Sequence, residues 1–220
     1  MKILAVSDEE SPYFWDYYTP GKLDSYDLIL SSGDLKADYL SFLVTMARCP
    51  VLYVHGNHDT GYDRYPPEGC DCVEDKLVVC KGLRILGLGG CSRYKEGPHQ
   101  YTEAQMRRRI RKLRRAVKAA GGVDIVLCHA SPLGLGDAPD RTHKGFAAFL
   151  DLLDTYQPQY LLHGHVHLNY GRMIPRQNQY GNTKIINCCG YVELECEGQG
   201  KDFPRNKRTL PMYENMDAWR

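Results

Sequence analysis

No stretch of the 220-residue chain is long and apolar enough to span a bilayer. The apolar run near the N-terminus, Ile3 to Val6, is too short for the core of a signal peptide, so a soluble, cytoplasmic protein without membrane contact is expected. Neither sign of charge is in excess. The 28 Lys and Arg face 27 Asp and Glu, a formal +1, so steering of a charged partner has to come from local patches. No internal repeat or low-complexity linker divides the chain. A single layered domain is expected over residues 1–197, large enough to bury its own core, with a polar C-terminal extension over 198–220. The nine cysteines are odd in number and form no doubled C-x-x-C pattern, which argues against a structural zinc site. Reduced, buried thiols acting as small hydrophobes are the simpler reading beside a cysteine metal or redox site.

Short apolar runs recur at Lys2–Val6, Leu28–Ser31, Val51–His55, Leu83–Leu88, Ile125–His129, Tyr160–His163, Lys184–Asn187 and Tyr191–Glu195, each bounded by Gly, Asp, Asn or Pro. Helical patterns lie between them over Leu35–Arg48, Glu103–Ala120 and Phe146–Tyr156. Asp34 and Thr102 stand where N-caps belong, and Gly121-Gly122 stops the second helix. Strands alternating with helices predict an α/β fold with its sheet covered on both faces. Residues 71–88 carry strand signals with no helix between them, so part of the sheet is expected to be antiparallel or mixed.

The strands keep leading to Asp, His or Asn: Asp8, Asp34, Asn57-His58, His129, then His165 and His167. In α/β sheets, ligands collect at the carboxyl ends of strands. Asp8, Asp34, Asn57, His129, His165 and His167 offer carboxylate, amide oxygen and imidazole, a mixture that suits manganese, iron or zinc and is too rich in nitrogen for calcium. In His165-Val166-His167 an extended backbone turns both rings to one side. Six or seven ligands exceed what one catalytic ion needs, so two divalent ions are expected, manganese first, with iron, zinc, magnesium or nickel as alternatives.

These motifs resemble the calcineurin-like metallophosphoesterase superfamily, in order over Lys2–Leu168, about three quarters of the chain. The family pattern D-x-H, G-D, G-N-H-[DE], an isolated His and G-H-x-H meets Asp8-Glu9-Glu10, Gly33-Asp34, Gly56-Asn57-His58-Asp59, His129 and Gly164-His165-Val166-His167. The resemblance implies a four-layer sandwich of two mixed β-sheets flanked by helices. It implies that Asp34 bridges two metals, that Asp8 and His167 hold the first, and that Asn57, His129 and His165 hold the second. His58 would stabilise the phosphoryl group and protonate the leaving oxygen, with Asp59 orienting it, and a metal-bound hydroxide would attack. Glu10 stands where the family has His. As a ligand it would add a negative charge to the cluster; otherwise it is solvated or paired with a cation. Residues 128–137 and the Asp140–His143 stretch look like the branch that includes cyclic-nucleotide phosphodiesterase-like members.

The expected function is hydrolysis of a phosphodiester or phosphomonoester, a nucleotide-type small molecule being favoured over nucleic acid. A silent binding scaffold on the same fold is the alternative. Several features keep two readings. His143 reaches the substrate, or caps the helix after it. His163 supports the ligands or belongs to the core. The aromatic loop Ser11–Pro20 walls the substrate or covers the sheet end. The basic face of the helix at 103–120 meets phosphates or is simply solvated. Gly87–Gly90 lacks the lysine and spacing of a P-loop and is read as a turn.

Overall fold

The computed structural model describes residues 1–168 and 174–198, and the backbone of 212–213. In chain order the first elements are β1 (Lys2–Ser7), β2 (Leu28–Ser31), α1 (Ala37–Met46), β3 (Val51–Tyr53), β4 (Asp71–Cys72), β5 (Leu77–Cys80) and β6 (Leu83–Leu88). Next come β7 (Cys91–Ser92), β8 (Gln100–Tyr101), α2 (Glu103–Ala119), β9 (Ile125–Cys128), α3 (Ala147–Tyr156) and β10 (Tyr160–His163). The chain closes with β11 (Gln177–Tyr180), β12 (Thr183–Asn187), β13 (Gly190–Glu195) and β14 (Met212–Tyr213).

One sheet has the order β13-β1-β2-β3-β4, the other β11-β12-β10-β9-β6-β5-β14, and β7 pairs with β8 apart from both. Both large sheets are mixed. β1 to β4 are parallel with β13 antiparallel at the edge, and β12, β10, β9 and β6 are parallel with β5 and β11 antiparallel to them. Among the described residues no helix is long and apolar enough to cross a membrane.

The layering follows from the side-chain alternation of strands. Ile3 and Ala5 of β1 face a core shared with Leu28, Leu30, Ile85, Ile125, Leu127 and Leu162, which cements the two sheets together. Leu4 and Val6 point the other way, onto Phe14 and the α1 residues Tyr39, Leu40 and Leu43. In the second sheet Leu86, Val126 and Leu161 turn outward onto Met106, Leu113 and Val117 of α2 and Phe149 and Leu152 of α3. The four layers are therefore α1, sheet, sheet, and α2 with α3. Strands buried on both faces need apolar residues at every position, which is why their sequences read as continuous runs. Each side chain fully buried this way contributes roughly 1.5–3 kcal/mol before entropy is counted.

Thr102 caps α2 with a capping box completed by Gln105, and left-handed Gly121 and Gly122 end it. Asp34 does not cap α1. The cap position is Lys36, without a side-chain hydrogen bond, because the Asp34 carboxylate is turned elsewhere. β3 ends at Tyr53 rather than His55. The polar extension lies outside the described residues except for Gly198 and for 212–213, the latter adding a short parallel strand beside β5.

Candidate metal centre

Parallel strands place their carboxyl ends on one edge, and each adds a polar residue there. Asp8 follows β1, Asp34 follows β2, Asn57 and His58 follow β3, His129 follows β9, and His165 and His167 follow β10. Asp8, Asp34 and His165 adopt left-handed backbones with φ of 63°, 57° and 68°. Such strain costs about 1–3 kcal/mol per residue and persists where surrounding contacts fix it, commonly at functional sites. The contacts are visible here. His165 N donates to both oxygens of Asp8 (2.9 and 3.0 Å), Asp8 N donates to Gly33 O (3.1 Å), and His58 N donates to Asp34 Oδ1 (2.7 Å). The motif glycines are required by close approach: a Cβ on Gly56 would overlap the Asp34 carboxylate, and one on Gly164 would overlap Ser7 Oγ and Asp8 Oδ2.

His129 is fully buried. Its Nδ1 lies 2.7 Å from Ser32 O, an acceptor only, so Nδ1 carries the hydrogen and Nε2 presents a lone pair. That lone pair faces Asn57 Oδ1 at 3.1 Å and Asp34 Oδ2 at 3.3 Å. Three acceptors around one point need a cation, either a proton or a metal. His165 repeats the logic: Nε2 donates to Thr142 O (2.9 Å) and Nδ1 is left for ligation. The donor atoms of Asp34, His129 and His165 lie within 4.8 Å of one another. Anchoring one nitrogen of each imidazole to an oxygen fixes the tautomer, as metal sites do.

The electrostatics agree. Burial acts to discharge His129, but the charge and hydrogen bond of Asp34 prevail and raise it to about 9. Burial likewise opposes ionisation of Asp34, and His129 with the His58 N–H overcomes it and holds the carboxyl well below the usual range. Burial, then the His129 charge, push His165 down to about 3, so it is a neutral donor at pH 7. Burial raises Asp8. The donors fit a divalent ion of mixed nitrogen and oxygen preference.

The calcineurin-like phosphoesterase superfamily domain matches residues 1–195. The chain belongs to that superfamily. Two curated relatives from Caenorhabditis elegans are similar to it. UPF0046 protein T07D4.2 is 39% identical over 97 residues, 42% of this chain and 23% of the relative. UPF0046 protein K07C11.7 is 24% identical over 194 residues, 73% of this chain and 61% of the relative. The chain thus spans less than two thirds of the length of these relatives. The solved structure of TT1561 of Thermus thermophilus shares the fold, with a TM-score of 0.56, 16% identity, and coverage of 86% of this chain and 88% of that one.

Against the superfamily motif, Asp8, Asp34, Asn57, His129 and His165 converge. Glu10 lies in none of the clusters of donor atoms within 4.8 Å among the described residues. Its Oε1 accepts from Lys36 N (3.2 Å) and pairs with Lys36 Nζ (3.7 Å), the cation-paired alternative for this position. His167 Nδ1 lies 3.0 Å from Glu9 Oε1, a partner that motif position does not suggest. Asp59 does not hydrogen-bond the His58 ring. Its Oδ2 accepts from Gly56 N (2.7 Å) and Asp34 N (2.8 Å), bracing the two ligand loops, and burial with the Asp34 charge raises it to about 6. His58 is exposed at the rim of a cleft of about 600 Å³ that also takes in Asp34, Glu10, Lys36, Tyr62 and Tyr65. His143 pairs with Asp140 (3.0 Å), and its ring centroid is 5.1 Å from that of His165, so its loop abuts the centre.

The remaining features are mostly structural. His163 is fully buried, with Nδ1 on Gly164 O (3.0 Å), and burial lowers it to about 4. His55 meets Glu74 (2.6 Å) and stacks on His99 at 4.4 Å. Arg109 of α2 turns inward to Glu74 and Asp75 (2.7 Å each) and is not part of the helix's solvated basic face. In the aromatic loop Phe14 is buried and Trp15 packs on Tyr39 and Phe42, while Tyr13 and Tyr17 are exposed. The nine cysteines are free thiols, seven of them buried, as small hydrophobes would be.

Proposed function

We propose that the protein hydrolyses phosphate esters with two divalent ions, Asp34 bridging them. The carrying observation is the triangle of lone pairs from His129 Nε2, Asn57 Oδ1 and Asp34 Oδ2, of which Asp34 also lines a cleft with His58 on its rim. When bound, the ions supply positive charge against the phosphoryl oxygens and lower the pKa of a coordinated water. The nitrogen and oxygen donors of Asp34, Asn57, His129 and His165 suit manganese.

The side chains do the rest. Asp34 keeps its two oxygens apart, one on the His58 N–H and one towards His129, which suits a bridge. His58 faces a phosphoryl group in the cleft and donates to the leaving oxygen. Lys36 Nζ, exposed on the cleft wall, meets a second anionic oxygen of the substrate. Tyr65 offers exposed ring surface to a nucleoside, which favours a nucleotide-type diester, and the Asp140–His143 pair borders the same centre.

One observation favours the scaffold reading: Glu10 leaves the ligand set. Metal-reconstituted protein, assayed on a phosphomonoester, a bis-aryl phosphodiester and 2′,3′- and 3′,5′-cyclic nucleotides, separates the two. Turnover that requires metal and is greatest on a diester is expected. Bound metal with no turnover on any substrate would establish the scaffold.

A further inference from the structure

With Glu10 engaged by Lys36, the first metal position lacks a ligand that the superfamily motif supplies. A second donor cluster lies beside Asp8. One donor atom each from Glu9, His167 and Cys189 falls within 4.8 Å of the others. The cluster arises where the chain crosses between the sheets: β12 ends at Asn187, and Cys188-Cys189 lead directly into β13, which pairs with β1 just ahead of Asp8 and Glu9. Asp8 directly precedes Glu9, and its carboxylate accepts from His165 N (2.9 and 3.0 Å), so it neighbours a member of each donor group.

The cluster is built rather than accidental. Asn187 is fully buried and clamps both of its sides: its Oδ1 accepts from Cys189 N (2.9 Å), and its Nδ2 donates to Val166 O (2.7 Å). One amide thereby fixes Cys189 and the residue preceding His167 in a common frame. Arg176 adds hydrogen bonds to the carbonyls of Cys189 and Tyr191. Although Cys189 is only 4% exposed, it borders a cleft of about 570 Å³ shared with Glu9, Glu10 and Tyr191, which gives an ion a route in. Cys188, its neighbour, is wholly buried and is not part of this cluster.

We propose that Glu9 and Cys189 join His167 as ligands of the first metal, standing in for the third residue of the superfamily motif. This rests on the metal-dependent reading above. Sulfur, imidazole and carboxylate together select zinc or ferrous iron over manganese or magnesium, so the two positions differ in preference. The position nearer His129 has only nitrogen and oxygen donors, whereas the position at Cys189 is thiophilic.

Cobalt is a coloured stand-in for zinc. Titrating the metal-free protein with Co²⁺ is expected to give a near-ultraviolet thiolate-to-cobalt charge-transfer band. The band disappears in Cys189→Ser and persists in Cys188→Ser and in Cys72→Ser, the latter removing the thiol beside His55 and Glu74. Glu9→Gln, at an exposed and fold-neutral position, weakens cobalt binding at this position at least tenfold. Zinc-edge X-ray absorption of the unaltered, zinc-loaded protein should show a sulfur scatterer at about 2.3 Å. Cobalt or zinc bound with only nitrogen and oxygen scatterers, or a sulfur band that survives Cys189→Ser, would overturn the assignment and reduce Glu9 to a hydrogen-bond partner of His167. A parent that binds no cobalt at all would instead overturn the metal-dependent reading itself.

Discussion

Removing metal with a chelator and scanning pH tests the electrostatic construction of the centre. Without metal, the cation demanded by Asp34, Asn57 and His129 is a proton on His129 Nε2, which raises that imidazole to about 9 from an ordinary 6.5. A group whose folded pKa lies above its unfolded value stabilises fully below the unfolded pKa and loses that stabilisation as pH rises through the folded one. The window is therefore pH 6.5 to 9. The difference corresponds to about 3 kcal/mol at 1.36 kcal/mol per pH unit. The lowered pKa of Asp34 is the same interaction seen from its partner and is not added. For a domain of this size the loss lowers the melting temperature by roughly 6–12 °C. His55, raised to about 10 by Cys72 and Glu74 against burial, decays over an overlapping range. The diagnostic is therefore the difference between parent and Asp34→Asn. Thermal melts of the chelated parent should fall more steeply across this window than those of Asp34→Asn, and metal should flatten the parent's curve by displacing the proton. Equal slopes in the two chelated proteins would refute the reasoning.

Three further outcomes follow from the contacts. Gly56→Ala and Gly164→Ala put a Cβ into Asp34 and into Asp8 with Ser7, so each should lower metal affinity at least tenfold, measurable by competition with a chromophoric chelator. His58→Ala should leave metal content intact and reduce turnover about 10²–10⁴-fold on esters with poor leaving groups, with a smaller loss on nitrophenyl esters. An equal loss on both would assign His58 to charge stabilisation alone. Glu10→Ala should keep the parent's metal stoichiometry while lowering KM or shifting substrate preference through the freed Lys36, and loss of a metal would return Glu10 to the ligand set.

Much of the site is legible in the sequence because ligand chemistry follows strand ends. Asp8, Asp34, Asn57, His129 and His165 each come one to four residues after a short apolar run, and parallel pairing brings those ends together. The layers are legible for a related reason, since doubly buried strands are apolar throughout. The two-residue strands β4, β7, β8 and β14 are not, being too short to display a period. Polar β11 (QNQY), an antiparallel edge strand, has no apolar run to betray it. The Lys36 partner of Glu10 and the contacts of Asp59 are not legible, because motif position does not specify where a carboxylate turns. Lys36 lies 26 residues from Glu10, and the backbone N–H groups that hold Asp59 come together only once both loops are folded. Cys189 escapes a reading of the sequence because it follows an apolar run, Lys184–Asn187, whose next residue is another buried cysteine. Yet it lies two residues beyond a strand end, as His165 does.

The bridging role of Asp34 is the centre of the account, and metal content per chain tests it most directly. Parent and Asp34→Asn, each loaded with manganese and zinc together, freed of excess metal and analysed by elemental analysis, should differ. Two ions per chain are expected in the parent and at most one, weakly held, in the variant. Two tightly held ions in Asp34→Asn would contradict the dinuclear centre.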